Sequence, residues 1–304
     1  MHPSDQNEPG ISRRRRGRGF SYTYPGGRPM RDPATLKRIK ALVVPPAWKD
    51  VWICRSSDGH LQAAGTDAAG RRQYRYHDAW RAQQDALKFD RVLEVAERLP
   101  AFRKRVQEQL ESRGLTRERV LAAAARLLDV GFFRVGGEAY ESYGLATLRM
   151  EHVSCANGTI VFSYPAKGDI PREVEVTDRD ACRVVRSLKA LGHEGELLRY
   201  KGENGWTDVR SEEINAYVGE TLGCEATAKD FRTWHGTVLA AKGLAATGDV
   251  PEVVRQVADY LGNTPAVARA SYVDPRVIEA FERGRTIDTT GDVEAAVIDL
   301  IRAV

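Results

Sequence analysis

Residues 70–96 read GRRQYRYHDAWRAQQDALKFDRVLEVA, and within this stretch the hydrophobic period changes. Arg72-Gln73-Tyr74-Arg75-Tyr76 alternates polar and aromatic side chains as a strand does, whereas Leu87, Val92, Leu93, Val95 and Ala96 recur at helical spacing. Working back from this switch, Leu61-Gln62-Ala63-Ala64 and Val51-Trp52-Ile53-Cys54 read as two more strands, separated by Asp-Gly and Ala-Gly turns. Residues 35–42 read as a short helix stopped by Val44-Pro45-Pro46. Working forward, Phe102, Val106 and Leu110, then Val120-Leu121-Ala122-Ala123-Ala124 with Leu127-Leu128, continue the helical spacing. The expected fold class is therefore α+β: a small sheet-rich N-terminal domain over residues 21–89 and a larger, mainly α-helical domain over residues 90–304. The helical part carries one hairpin, Gly158 to Tyr164 and Arg172 to Val176, around the turn Pro165-Ala166-Lys167-Gly168-Asp169. Helices then resume to the C-terminus, with Pro251 and Pro265 at first-turn positions and Thr264 placed to cap the second. Residues 1–20, rich in Arg, Gly, Ser, Asn and Pro, lack apolar periodicity and read as a basic, disordered arm.

Composition narrows the class. At 304 residues, 42% hydrophobic and 29% charged, the chain has material for two ordinary cores, which excludes fibrous and wholly disordered proteins. There is no uncharged apolar run of membrane-spanning length, and Arg13 to Arg16 have no apolar segment behind them, so a cytoplasmic protein without membrane attachment is expected. Cys54, Cys155, Cys182 and Cys224 are scattered singly, and the six histidines form no ligand motif; neither disulfides nor a metal site is expected. Charge is uneven. Residues 1–90 hold 17 Lys and Arg against 9 Asp and Glu, a balance of +8, leaving 29 against 33 in the remainder, or −4. A basic front end suits a polyanion, although a solvated basic face accounts for it equally.

Three segments stand out chemically. Arg134 is embedded in the apolar, glycine-flanked Gly131-Phe132-Phe133-Arg134-Val135-Gly136, where a buried cation needs a partner. Arg232 opens a long apolar helix in Lys229-Asp230-Phe231-Arg232-Thr233-Trp234-His235-Gly236, and Lys167 sits at the hairpin tip. Taken singly, each arginine fits an internal salt bridge and the lysine a solvated turn. Leu261-Gly262-Asn263-Thr264-Pro265 then leads through a capped short helix to Ser271-Tyr272, and a lone helical tyrosine is as a rule a packing residue.

Together, Pro45-Pro46-Ala47-Trp48, Gly70 to His77, Phe133-Arg134-Val135-Gly136, the Lys167 hairpin, Lys229-Asp230-Phe231-Arg232-Thr233 and Leu261-Gly262-Asn263-Thr264 to Tyr272 resemble the type IB DNA topoisomerases of poxviruses and bacteria, which share a catalytic domain with tyrosine recombinases. The resemblance covers nearly the whole chain. It implies a monomeric, C-shaped clamp on double-stranded DNA, nucleoid-associated, that relaxes supercoils through a 3′-phosphotyrosyl intermediate with neither ATP nor an obligatory metal. It implies Tyr272 as nucleophile, Arg134, Arg232 and Asn263 as transition-state stabilisers and Lys167 as general acid. Asn263 stands where the poxviral enzymes and most recombinases carry histidine; an amide donates a hydrogen bond but does not titrate near neutrality. The resemblance further implies DNA contacts from Arg71, Arg72, Gln73, Tyr74, Tyr76 and Tyr140, with Arg71 and Arg72 positioning phosphates. Strand alternation sends Tyr74 and Tyr76 to one face and Gln73 to the other, so half-buried packing stays open for the tyrosines and Gln73 is the weaker contact. A tyrosine recombinase is the neighbouring alternative, but recombinases usually carry histidine three residues before the second arginine, where this chain has Lys229, and their N-terminal domain is helical. A DNA-binding protein without chemistry is the remaining one; the complete set of five catalytic positions argues against it.

Overall fold

The computed structural model describes residues 1–136, 143–165, 171–192 and 194–304, and the chain divides into two compact units, Met1–Lys88 and Phe89–Val304. In the first unit, antiparallel strands β1 (Ile11–Arg16), β2 (Gly19–Thr23), β3 (Lys49–Ile53), β4 (Leu61–Thr66) and β5 (Arg72–Tyr76) lie in the order β2-β1-β3-β4-β5. Helix α1 (Pro33–Ala41) starts where Asp32 accepts the Thr35 amide at 2.8 Å and Pro33 presets the first turn. It contributes Ile39 to a small core with Ile11, Met30, Val51, Ile53 and Ala63. β4 is buried from Leu61 to Gly65, and a Cβ on Gly65 would meet the Trp48 ring at 2.8 Å, so a glycine is required for the indole to lie against the strand.

The N-terminal segment departs from the expectation of a disordered arm. Ser4 is buried, with Oγ donating to the Leu61 carbonyl at 3.0 Å, and residues 11–16 form β1, paired on both edges with β2 and β3. The composition misleads because a strand needs only alternate positions to face inward. Ile11 supplies one of them. Arg13 supplies the next, its guanidinium donating to the carbonyls of Val44, Pro45 and Trp48 at 3.0, 2.9 and 2.8 Å and lying 4.2 Å from the centre of the Phe20 ring. Arg14, Arg15 and Arg16 stay exposed, and Gly17, at φ +56°, opens the two-residue turn to β2.

In the second unit, α2 (Asp78–Leu110), which begins in the first, packs on α3 (Arg117–Gly131), whose Val120 to Ala125 are fully buried. Its alanines bring neighbouring elements close. β6 (Val153–Ala156), β7 (Thr159–Pro165) and β8 (Pro171–Thr177) form an antiparallel sheet ahead of α4 (Arg179–Lys189). A second hairpin, β9 (Arg199–Gly202) and β10 (Gly205–Asp208), interrupts the helices expected to run on to the C-terminus. Its signal was present in Gly202-Glu203-Asn204-Gly205, a turn sequence flanked by short aromatic strands. The remaining elements are α5 (Ser211–Leu222), α6 (Ala228–Thr247), α7 (Val250–Leu261), α8 (Pro265–Ser271), α9 (Pro275–Glu282) and α10 (Val293–Arg302). Among the described residues no helix is long and apolar enough to cross a membrane.

Candidate active site

The site is built on the C-terminal end of α7. Gly262, at φ +65°, ends the helix in the left-handed conformation, and the Asn263 amide turns back to the Ala258 carbonyl at 2.8 Å. This leaves the carbonyls of Tyr260, Leu261 and Gly262 without helical partners. A guanidinium takes each one. Arg172 on β8 donates to Tyr260 O at 3.0 Å, Arg232 on α6 to Leu261 O at 2.7 Å, and Arg134 to Gly262 O at 2.8 Å and Asn263 Oδ1 at 2.9 Å. The neutral turn thus gathers cations from three distant segments. The salt bridges that the sequence left open for the arginines are not what is found: among the described residues no carboxylate pairs with Arg134, Arg172 or Arg232.

Each arginine is held from behind. Arg134 follows the end of α3, where Phe132 takes φ +56°, and its own carbonyl accepts the Leu145 amide at 2.8 Å. Gly136 and Gly144 cross so closely that a Cβ on Gly144 would lie 2.4 Å from the Gly136 backbone. Arg232 also donates to the Phe132 carbonyl, while the Phe132 ring is held edge-on between His235 and Tyr260, at 4.5 and 4.7 Å. Below this lies a buried ionic network. Asp129 pairs with Arg103 at 2.8 Å and sits 3.3 Å from His235 Nε2; Arg103 continues to Glu294, which accepts from Trp234 Nε1 at 3.0 Å. Burial opposes ionisation of Asp129, but the neighbouring His235 and the paired Arg103 guanidinium outweigh it and hold the carboxyl at about 2.

Tyr272 ends α8, whose first turn Thr264 caps through the Val267 amide at 3.4 Å. α6 receives it. A Cβ on Gly236 would lie 2.6 Å from the Tyr272 carbonyl, and Thr237 Oγ1, which lies 3.4 Å from that carbonyl, accepts the Asp274 amide at 3.0 Å. Arg232, one turn before Gly236, then lies 5.2 Å from the centre of the Tyr272 ring. Arg232 is only 3% exposed, and its Nε has no hydrogen-bond partner. Burial brings this guanidinium down to about 10, aided by the charges of Arg134 and Arg172 and opposed by Tyr272. Tyr164 on β7, paired in register with Arg172, is buried nearby. Burial pushes its phenol up, against the pull of Arg172, Arg232 and Arg134.

Of the residues singled out in the sequence, Arg134, Arg232, Asn263 and Tyr272 come together here; Lys167 and Tyr140 lie outside the described residues. The others stand on or beside β5. Tyr74, 44% exposed, stacks with Tyr76 at 6.2 Å, and Tyr76 stacks with Trp80 at 4.4 Å. Gln73 Nε2 and Arg71 Nε both donate to Asp67 Oδ2, at 2.9 and 3.1 Å, while Arg72 donates to Gln6 at 2.7 Å and to the Asp50 carbonyl at 3.1 Å. Arg172, Tyr164, Gly236 and Thr237 escaped the sequence reading. Gly236 carried a signal, since glycine inside an apolar helix costs about 1 kcal/mol against alanine and calls for a packing reason. Arg172, one of several charged residues in its strand, carried none.

Residues 77–279 match the family described as eukaryotic DNA topoisomerase I, catalytic core, and residues 19–67 match the bacterial DNA topoisomerase IB N-terminal domain. A DNA topoisomerase 1B of Acanthamoeba polyphaga mimivirus is 27% identical over 296 residues, covering 90% of this chain and 88% of that protein. The family match takes in β6 to β8 and α2 to α8, the elements that assemble the arginine cluster and Tyr272. The chain belongs to the family of the eukaryotic DNA topoisomerase I catalytic core and is a type IB DNA topoisomerase, an enzyme that relaxes supercoiled duplex DNA without ATP by transient cleavage of one strand.

Proposed function

We propose that Tyr272 is the nucleophile of this reaction, that Arg134, Arg232 and Asn263 hold the scissile phosphate, and that Lys167 is the general acid. The Tyr272 oxygen attacks phosphorus, its proton passing to water or to a phosphate oxygen, as the bond to O5′ breaks. The 3′-phosphate becomes a phosphotyrosyl ester, and the 5′-oxygen leaves with the Lys167 proton. Religation runs the same bonds in reverse, with the 5′-hydroxyl attacking and tyrosine leaving. One phosphodiester replaces another, so the energy of the bond is kept and superhelical strain drives the net change.

The observation that carries this reading is the buried Arg232 guanidinium over the Tyr272 ring, 5.2 Å from its centre, with one N–H group still unpartnered. A pentacoordinate phosphorane gains negative charge on its non-bridging oxygens, and permanently protonated, paired N–H donors fixed in a dry site stabilise that charge best. Asn263 suits the same task. Guanidinium groups only donate, so the bond from Arg134 assigns Oδ1 and leaves Nδ2 as the amide's donor.

In this reading residues 21–89 are a DNA-binding domain and residues 90–304 the catalytic domain, closing around the duplex as a monomeric clamp. The enzyme works on the nucleoid inside the cell and needs no metal. Tyr74 and Tyr76 meet the duplex from the exposed side of β5, Tyr140 adds a contact, and Arg71 and Arg72 position phosphates. Gln73, committed to Asp67, reaches DNA only by giving up that bond. Relaxation of a negatively supercoiled plasmid in EDTA without ATP, comparing the unmodified protein with Tyr272→Phe, tests the core of it. Topoisomer ladders from the first and none from the second are expected. Relaxation by Tyr272→Phe, or dependence on added metal, overturns the assignment.

A further inference from the structure

Three guanidiniums on one helix end are more than that end can neutralise. The C-terminal carbonyls of a helix carry the equivalent of about half a negative charge, against three positive charges from Arg134, Arg172 and Arg232. No carboxylate among the described residues supplies the rest. The Tyr164 phenol, buried and opposite Arg172 in the ladder, lies within the field of all three cations, which pull against the effect of its burial. A cluster of this kind is a preformed anion site.

Two of its members belong to the proposed phosphate-holding set; the third is assigned by nothing so far. Arg172 stands on β8, opposite Tyr164 in the ladder. It reaches the α7 turn because residue 262 has no side chain: the Gly262 Cβ would lie 2.3 Å from Arg172 Nη1. Its bond to the Tyr260 carbonyl uses Nη2, and a guanidinium carries five N–H donors along the edges of its planar fork, enough to serve a further acceptor.

We infer that Arg172 is a catalytic residue of this enzyme, a third guanidinium that binds a non-bridging oxygen of the scissile phosphate beside Arg134 and Arg232. The inference rests on the reading of Tyr272 as nucleophile. It differs from a structural role for Arg172 in what the charge does. A cap on α7 needs only a donor, and glutamine supplies one; a transition-state contact needs the cation.

The test is single-turnover cleavage of a short duplex whose leaving strand dissociates, followed as the covalent protein–DNA adduct. Arg172→Gln, with Arg172→Ala beside it, is expected to slow adduct formation by about 10²-fold, the effect of removing one preorganised donor from a developing oxyanion. Millimolar guanidinium is expected to restore part of the Arg172→Ala rate. On DNA carrying a methylphosphonate at the scissile position, where one charged oxygen is absent, the penalty of Arg172→Gln is expected to fall to within about threefold of the unmodified protein. If Arg172→Gln cleaves ordinary DNA at the unmodified rate, or is penalised equally on both DNAs while its Tm is unchanged, Arg172 is no phosphate ligand. If the unmodified protein itself forms no adduct through Tyr272, it is the reading beneath that fails.

Discussion

Arg14, Arg15, Arg16 and Arg18 on the β1–β2 ribbon stand exposed in water, whereas Arg134, Arg172 and Arg232 are drawn onto consecutive carbonyls at the end of α7. The first group is contiguous in sequence and rests on the small core of a five-stranded sheet. The second comes from a loop, a strand and a helix spread over about a hundred residues of a much larger core. Exposed cations cost nothing to hold and act through counterion release, so they suit affinity that responds to salt. Cations drawn inward, Arg232 fully and Arg134 and Arg172 in part, cost desolvation and positioning, and yield a field that needs little reorganisation when charge develops. Arg13 shows the boundary between the two kinds: on the same ribbon but turned inward, it is absorbed by three carbonyls.

The contrast predicts unequal costs for equal changes. Arg232→Lys keeps the charge but loses the fork and the bonds to Leu261 and Phe132, and is expected to slow adduct formation by about 10²–10³-fold in single-turnover assays. A rate close to the unmodified protein would break the contrast at its strongest point. Asp129→Ala leaves Arg103 and His235 without their shared buried carboxylate, and denaturant unfolding should show a loss of about 3–5 kcal/mol. The same residue sets an acid limit. Its folded pKa, about 2, lies below the ordinary 3.8, so its contribution is complete above that ordinary value and is lost as pH falls through about 2. Acid unfolding of the unmodified protein should therefore steepen in this window, and that of Asp129→Asn should not. Gly236→Ala pushes a methyl into the Tyr272 carbonyl and should cost about 1–3 kcal/mol in stability while lowering the cleavage rate. Replacing Arg14, Arg15, Arg16 and Arg18 with serine sharpens the other side. The slope of log affinity against log salt should shrink by up to about 0.9 per phosphate contact removed, with the rate in the bound complex unchanged.

Much of the site could be named from the chain. Arg134 and Arg232 are conspicuous because a charge inside an apolar, glycine-flanked segment demands a reason, and Asn263 and Tyr272 because a turn, a cap and a short helix join them. Their nearest partners are not legible there. Carboxylates were the available alternative, and backbone carbonyls are what hold the arginines, since helix-end acceptors leave no trace in composition. The N-terminal strand is hidden for the converse reason: a run of arginines reads as solvated, and only pairing on both edges makes it a strand.

What the sequence determined by itself was periodicity and chemistry. The change from alternating to helical spacing near Tyr76 set the α+β class, and the ordered run of matching segments pointed to the family. The tertiary structure decided coincidence. Arg172 acquires meaning because its side chain reaches from β8 to the end of α7 over a residue without a side chain, and Gly236 because Tyr272 passes α6 at that turn. Local patterns follow from the backbone period and can be read along the chain, whereas contacts between segments far apart in sequence depend on how cores pack, which no single segment encodes.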